Sequence, residues 1–265
     1  MGEDILRLTM GGLDAGLHVL HIATLDPQCC ALSDTIKEVR ANERFRGFDH
    51  VPVVNEVGRV VGVLASGDAA NGAVGEAMRP LDDTMLVSAD EPLARFLPLL
   101  ADCPYRLVVH GTRIGGIVTR SDVLKLPVRL LAFTLVTHLE MVMAALIQQK
   151  YPHDGEWRDK LSKGRREKIE EKFTQLRQSK LDLSWLESAE FCDKRDLVAK
   201  LYKTGKPFVQ DLKDVEGLRN TVAHAGSYGG NQEALLDFLR VLGLTQHWIT
   251  ELTDRFDAAQ GGGAL

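Results

Sequence analysis

The string Gly217-Leu218-Arg219-Asn220-Thr221-Val222-Ala223-His224 places a guanidinium, an amide and an imidazole within six residues. A guanidinium stays charged and matches phosphate oxygens in pairs. An imidazole titrating near its ordinary value of about 6.5 can take or give a proton at neutral pH. Together they suit proton transfer beside a phosphate group. Residues five apart on a helix diverge by about 140°. Arg219 and His224 therefore converge if the helix ends between them, or if two copies of the chain meet there. The plainer alternative pairs Arg219 with a nearby acid, Asp214 or Glu216, and leaves His224 at a helix C-terminus, with Gly226 as terminator. In a second Arg/His pair, Arg240 and His247, the arginine is followed by Val241-Leu242-Gly243-Leu244 and reads as core packing.

A second set lies in the first half. The segment PVVNEVGRVVGVLASGDAA, from Pro52, aligns without gaps on RLVVHGTRIGGIVTRSDVL, from Arg106, at an offset of 54 residues. Each copy reads strand, tight turn, strand with a buried glycine (Gly62, Gly116), a small or hydroxyl residue, and an aspartate opening a helix. Thr119 is placed to hydrogen-bond a phosphate oxygen at a helix N-terminus, and Asp122 to accept ribose hydroxyls. The alternative is a helix cap formed by Thr119 and Asp122. In the first copy Asp68 matches Asp122, but Ala65 stands where Thr119 stands, with Ser66 nearby. His50, just before the Pro52 strand, is within reach of a phosphate, or is an exposed loop histidine.

The elements that must position these groups change period midway. Before residue 127, apolar β-branched runs (Val51–Val54, Val60–Leu64, Leu107–Val109, Ile114–Val118) predict short strands. Between them the spacing predicts helices at Asp34–Arg44 and Asp90–Leu100, the latter capped by Asp90 ahead of Glu91-Pro92. From Val128 onward apolar residues fall three and four apart: Leu131, Leu135, Leu139, Val142, Leu146. Further helical patterns cover about 165–180, 187–203, 208–224 and 232–256, separated by Gly205-Lys206-Pro207 and by Gly226 to Gly230. The expectation is an α+β chain: domain 1–127 with tandem β-α-β-β-α units, an all-α bundle over 128–256, and a frayed tail over 257–265.

Composition bounds the rest. The chain has 265 residues, of which 45% are hydrophobic and 26% charged, which is globular and excludes a disordered or rod-like protein. Its four cysteines, Cys29, Cys30, Cys103 and Cys192, form no C-x-x-C pair, so neither a disulfide scaffold nor a zinc site is expected. The N-terminal sequence does not read as a signal peptide, and the apolar run Leu130–Ile147 is interrupted by Thr134, Thr137, His138 and Glu140. A buried helix in a cytoplasmic protein, away from the membrane, is expected. Residues 1–127 carry 12 Lys+Arg against 17 Asp+Glu, and 128–265 carry 20 of each. The stretch 158–180 holds 9 basic residues against 4 acids. It suits either an RNA backbone or a solvated helix face, with Phe173 its one candidate for base stacking.

Two family resemblances follow from these strings. The repeat, with DHVPVVNEVGRVVGVLASGDAA, the linker VGEAMRP and TRIGGIVTRSDVLK, resembles a pair of cystathionine-β-synthase (CBS) domains over about residues 1–127. That family implies clefts binding adenine nucleotides (AMP, ADP or ATP) as regulatory ligands, with Asp68 and Asp122 as ribose acids, Thr119 as phosphate-binding hydroxyl, and Ser66 and His50 beside them. No Walker-type or G-x-G-x-x-G loop occurs, so this half reads as a sensor. Residues 128–256 resemble a HEPN domain (higher eukaryotes and prokaryotes nucleotide-binding), on the Arg-polar-x-x-x-His string and on an opening helix that carries Glu140. That resemblance implies a metal-independent endoribonuclease working as a homodimer: His224 handles protons, Arg219 stabilises phosphate charge, and Asn220 orients the site. RNA would leave with 2′,3′-cyclic phosphate and 5′-hydroxyl ends, with no cofactor for catalysis. It also leaves open a toxin held by a separate antitoxin. Some such toxins carry a tyrosine two residues after the histidine; that position is Gly226, and the nearest tyrosine is Tyr228. A non-catalytic nucleotide-sensing or RNA-binding protein remains the other expectation.

Overall fold

The computed structural model describes residues 12, 16–68, 71–178, 184–203, 205–223 and 230–261. They form two compact units, one within Leu13–Val128 and one from Arg129 onward.

The first unit holds two four-stranded sheets built on one plan. Strands are β1 (Thr24–Leu25), β2 (Cys30–Ala31), β3 (His50–Val54), β4 (Val60–Ala65), β5 (Arg79–Pro80), β6 (Leu86–Ser88), β7 (Tyr105–His110) and β8 (Arg113–Thr119). Their orders are β2-β3-β4-β5 and β6-β7-β8-β1. In each sheet a parallel pair (β2/β3, β6/β7) is followed by an antiparallel hairpin (β3/β4, β7/β8) and an antiparallel edge strand. The register slips in both hairpins, at Val53/Val54 and at Val108/Val109. Strands β3 and β7 correspond at an offset of 55 residues but β4 and β8 at 54, so the turn of the second copy is one residue shorter and the gapless alignment does not hold through it. The correspondence extends to single backbone bonds. Ile36 N–H donates to Gly72 O, and Leu93 N–H to Leu17 O; Val74 N–H donates to Asp34 O, and Val19 N–H to Glu91 O. The segment before the first copy thus completes the second sheet, while the linker after the first copy completes its own.

The two glycines singled out in the repeat are required by this arrangement. A Cβ on Gly62 would lie 2.4 Å from the Arg79 carbonyl oxygen of β5, and one on Gly116 would lie 3.1 Å from the Thr24 oxygen of β1. Each edge strand presses its backbone onto a bare Cα.

The expected helices here come out shorter. Asp34–Arg44 resolves into a helix Ile36–Ala41, capped by Thr35 through its own side chain and Glu38, followed by a 3₁₀ turn Glu43–Phe45. Asp90–Leu100 splits into Leu93–Phe96 and Leu99–Asp102. Asp90 caps neither of them: Pro92 holds the N-cap position, and the Asp90 N–H donates to Ser88 Oγ. The four shortest strands, β1, β2, β5 and β6, were outside the expected set, because two or three residues show no period.

The second unit is helical. Its helices are Leu126–Lys150, which starts in the first unit, then Asp154–Arg158, Lys163–Gln178, Phe191–Tyr202, Lys206–Ala223 and Gln232–Gly261. Leu131, Leu135, Leu139, Val142 and Leu146 are buried, as their spacing requires, together with Trp157, Phe191, Phe208, Leu212 and Leu242. The helix Leu126–Lys150 is long and apolar enough to cross a membrane by length and composition, yet 56% of its most apolar window is buried inside the protein. Two boundaries move. Pro127 and Pro207 sit inside first turns, where the missing N–H costs nothing. The segment expected to fray from residue 257 instead continues as helix to Gly261, through the helix formers Ala258, Ala259 and Gln260.

The backbone contacts at the two glycines set an order of sensitivity. Gly62→Ala should destabilise the protein by about 1–3 kcal/mol through forced backbone movement, and Gly116→Ala by less. Urea unfolding of both variants checks this; equal or reversed effects would contradict the strand approach described.

Candidate functional site

In the first unit, the aspartates of the repeat act alike on their own backbone. Asp122 Oδ2 accepts from Thr119 N–H at 2.6 Å and from Thr119 Oγ1 at 3.1 Å. Asp68 Oδ2 accepts from Ala65 N–H at 2.9 Å. The cap weighed from the sequence is therefore real, although the turn it opens, Arg120–Leu124, is a 3₁₀ helix of five residues. The other oxygens meet different cations. Asp122 Oδ1 pairs with Lys125 Nζ at 2.7 Å, and that ammonium also donates to Ile22 O. Asp68 Oδ1 meets Arg79 at 3.3 Å. Arg40 donates to the carbonyls of Ser66 and Asp68, and Ser66 Oγ contacts Asp49 at 3.4 Å.

His50 departs from the exposed-loop reading. It opens β3, half-buried, with its ring 4.5 Å from that of Tyr105 in the other copy. Burial pushes its pKa below the ordinary histidine range; Asp49 and Asp68 oppose that shift, while Arg79 and Arg120 reinforce it. Charged groups of both copies thus gather around one imidazole.

In the helical unit, Arg219 and Asn220 line a cavity of about 360 Å³ together with Glu140, Lys172, Glu190 and Glu216. Arg219 Nε lies 3.6 Å from Glu140 Oε2, and its side chain is 43% exposed. Neither acid expected from the sequence is its partner. Asp214 pairs with Arg240 at 2.8 Å, and Glu216 pairs with Arg195 at 2.7 Å. The other oxygen of Glu140 is held at 2.7 Å by Lys194, which is 5% exposed. Behind Glu190, Arg165 binds both Asp193 (2.6 Å) and Glu190 (2.7 Å); these hydrogen bonds raise its own pKa and lower that of Glu190. Arg165 thus pairs with two members of the trio Glu190, Cys192 and Asp193, whose ligand-type atoms lie within 4.8 Å of one another. That trio is an ion-pair cluster.

The helix carrying Arg219 is continuous from Lys206 to Ala223, so no break falls between Arg219 and the residue before His224. His224, Gly226 and Tyr228 lie outside the described residues.

Of the nine cations of the basic stretch, four are committed among the described residues to acids of their own unit: Arg158 to Glu170, Lys163 to Glu167, Arg166 to Asp159, and Arg165 to Glu190 and Asp193. Phe173 is not available for stacking on a base. It is 7% exposed, its ring stacks on Trp185 at 3.7 Å, and Arg158 covers the indole at 4.1 Å. Lys172, Lys194 and Arg195 were not singled out by sequence reasoning. Lys194 and Arg195 sit in a helix whose apolar spacing gave no sign that two cations face inward.

A family model described as "CBS domain" matches residues 19–72, so the N-terminal part of the chain contains a CBS domain. No curated protein matches the chain. Among solved structures, an uncharacterized conserved protein from Pyrococcus horikoshii is 22% identical, with 42% of this chain and 91% of that one covered and a TM-score of 0.36. CBSX2 in complex with AMP is 18% identical, covering 43% and 98%, with a TM-score of 0.37. The CBS domain of a bacterial CNNM/CorC family Mg2+ transporter in complex with ATP is 21% identical, covering 46% and 94%, with a TM-score of 0.36.

One buried group in the helical unit makes a pH prediction. His138 is 2% exposed, its Nδ1 has no partner among the described residues, and burial lowers its pKa. The unfolded chain therefore binds a proton that the folded chain refuses. Its contribution to stability is present above the unfolded value near 6.5 and is lost as pH falls toward the depressed folded pKa. His138→Leu should raise stability at pH 7 by about 1 kcal/mol, by removing an unsatisfied group. It should also flatten the fall between pH 7 and 5.5. Denaturant melts across that range check both effects.

Proposed function

We propose that the chain is a nucleotide-sensing protein whose CBS half binds an adenine nucleotide and whose helical half is a HEPN-type, metal-independent endoribonuclease acting as a cytoplasmic homodimer. The observation that carries the catalytic part is the cavity where Arg219 and Asn220 open side by side against Glu140. Arg219 is oriented by a carboxylate but lies beyond a short contact with it, and nearly half its side chain is open to solvent. Such a guanidinium can turn to a phosphate.

In the proposed reaction the RNA 2′-oxygen forms a bond to the adjacent phosphorus while the bond to the 5′-oxygen breaks. An imidazole, His224, takes the 2′ proton and supplies one to the leaving oxygen. Arg219 stabilises the added charge on the non-bridging oxygens, and Asn220 holds one of them. All atoms come from RNA and these side chains. Adenine nucleotide would bind Asp122, Thr119 and Asp68, with Ser66 and His50 beside them, and act by favouring one arrangement of the site over another.

A second reading has its own observation. Four carboxylates, Glu140, Glu187, Glu190 and Glu216, line the cavity, and uncompensated acids repel a polyanion. On that reading the helical half is a non-catalytic partner-binding module and the protein is a regulator only.

Incubating the purified chain with mixed RNA in EDTA, with and without AMP or ATP, separates these. The enzyme reading expects cleavage that falls at least about 100-fold in both Arg219→Ala and His224→Ala. Cleavage unchanged in the variants would contradict it. In parallel, a nucleotide-induced rise in melting temperature should be lost or reduced in Asp122→Ala and Asp68→Ala; a rise unaffected in both would place the ligand elsewhere.

A further inference from the structure

The same cavity carries an inference about substrate that rests on the ribonuclease reading. Its acids are not equally available to repel a ligand. Glu140 is held by Lys194 at 2.7 Å, Glu190 by Arg165 at 2.7 Å, and Glu216 by Arg195 at 2.7 Å. Glu187 accepts the Ser184 N–H in the cap of the turn Trp185–Ser188. Three of these carboxylates are therefore paired with cations, although Arg165 is shared with Asp193 and Arg195 with Asp196, and two of the cations, Lys194 and Arg195, are less than 10% exposed. Two lining cations are placed differently. Arg219 is only loosely engaged, because Lys194 already occupies Glu140. Lys172 closes no ion pair among the described residues, although its charge is felt at Glu190.

These two cations come from separate helices, Lys163–Gln178 and Lys206–Ala223, and line one space of about 360 Å³. That volume lies at the small end of ligand pockets. It suits a single nucleotide unit and is too small to enclose a base-paired helix.

We propose that Lys172 and Arg219 form a two-cation clamp on successive phosphates of single-stranded RNA, with Arg219 on the phosphate to be cut and Lys172 on its neighbour. Lys172 is a binding and positioning residue, and it sets the requirement for an unpaired strand.

The test measures binding of a 2′-O-methyl single strand, which cannot be cleaved by 2′-oxygen attack, as salt is varied. Lys172→Ala should weaken binding about tenfold, the size of one charge-assisted contact. It should also reduce the slope of log K against log salt by about 0.7, the single-strand value per phosphate neutralised. Lys172→Arg should restore both, and a self-complementary duplex should bind more weakly than the single strand. On cleavable RNA, Lys172→Ala should raise KM more than it lowers kcat.

An unchanged slope in Lys172→Ala, or duplex binding as tight as single strand, overturns the clamp. Cleavage that survives with an unchanged slope means the clamp fails while the nuclease stands. A Lys172-dependent slope with no cleavage means the nuclease fails while the clamp stands. If the wild-type chain binds no RNA, both fall.

Discussion

An ammonium buried to 5% exposure is tolerated only with a carboxylate against it, because the effective cost of burying an unpaired ion is several kcal/mol. Lys194 therefore holds the Glu140 carboxylate in place. Among the described residues Glu140 in turn is the acid that reaches Arg219, across 79 residues of sequence, 219 minus 140. The neighbouring pairs Arg165–Asp193, Arg165–Glu190 and Arg195–Glu216 repeat the arrangement, so the inner wall of the cavity is a set of mutually satisfied charges. Removing one member would leave its partner charged and unpaired, which costs more than the pair itself contributes. Rigidity in the wall leaves Arg219 and Lys172 as the cations with freedom to meet a ligand.

The first unit depends on a different constraint, the approach of an edge strand to a glycine in each sheet. The repeat, the hairpins and both glycines were legible in the sequence, because β-branched runs and turn residues recur; that the turn of the second copy is one residue shorter was not. What was not legible is that the segment Val19–Leu25 completes the second sheet. Two-residue strands carry no period, and the resemblance between that segment and the linker containing Arg79 is in backbone bonds more than in side chains. The helices were overestimated for a related reason. Pro98 interrupts one apolar pattern, and Thr35 starts the other one residue later than Asp34.

In the helical unit the periodic core read correctly, since three- and four-residue spacing reports burial directly. The site was half legible. Arg219 and Asn220 stood out by residue type, and they do share a cavity. The partner of Arg219 did not, because local spacing favoured Asp214 and Glu216 while packing delivered Glu140 from another helix. Phe173 looked like a stacking surface until Trp185 was seen to cover it, and His50 looked exposed until Tyr105 of the other copy was seen beside it. Each of these errors is a tertiary contact overriding a local one.

The account stands or falls on whether Arg219 and its neighbouring imidazole act on a phosphodiester. The most direct measurement is the mass of the RNA ends left after incubation with the purified chain. Fragments ending in a 2′,3′-cyclic phosphate, paired with fragments beginning in a 5′-hydroxyl, are predicted for attack by the RNA's own hydroxyl. Ends carrying a 3′-hydroxyl and a 5′-phosphate, or RNA left intact at every nucleotide concentration, would contradict the account.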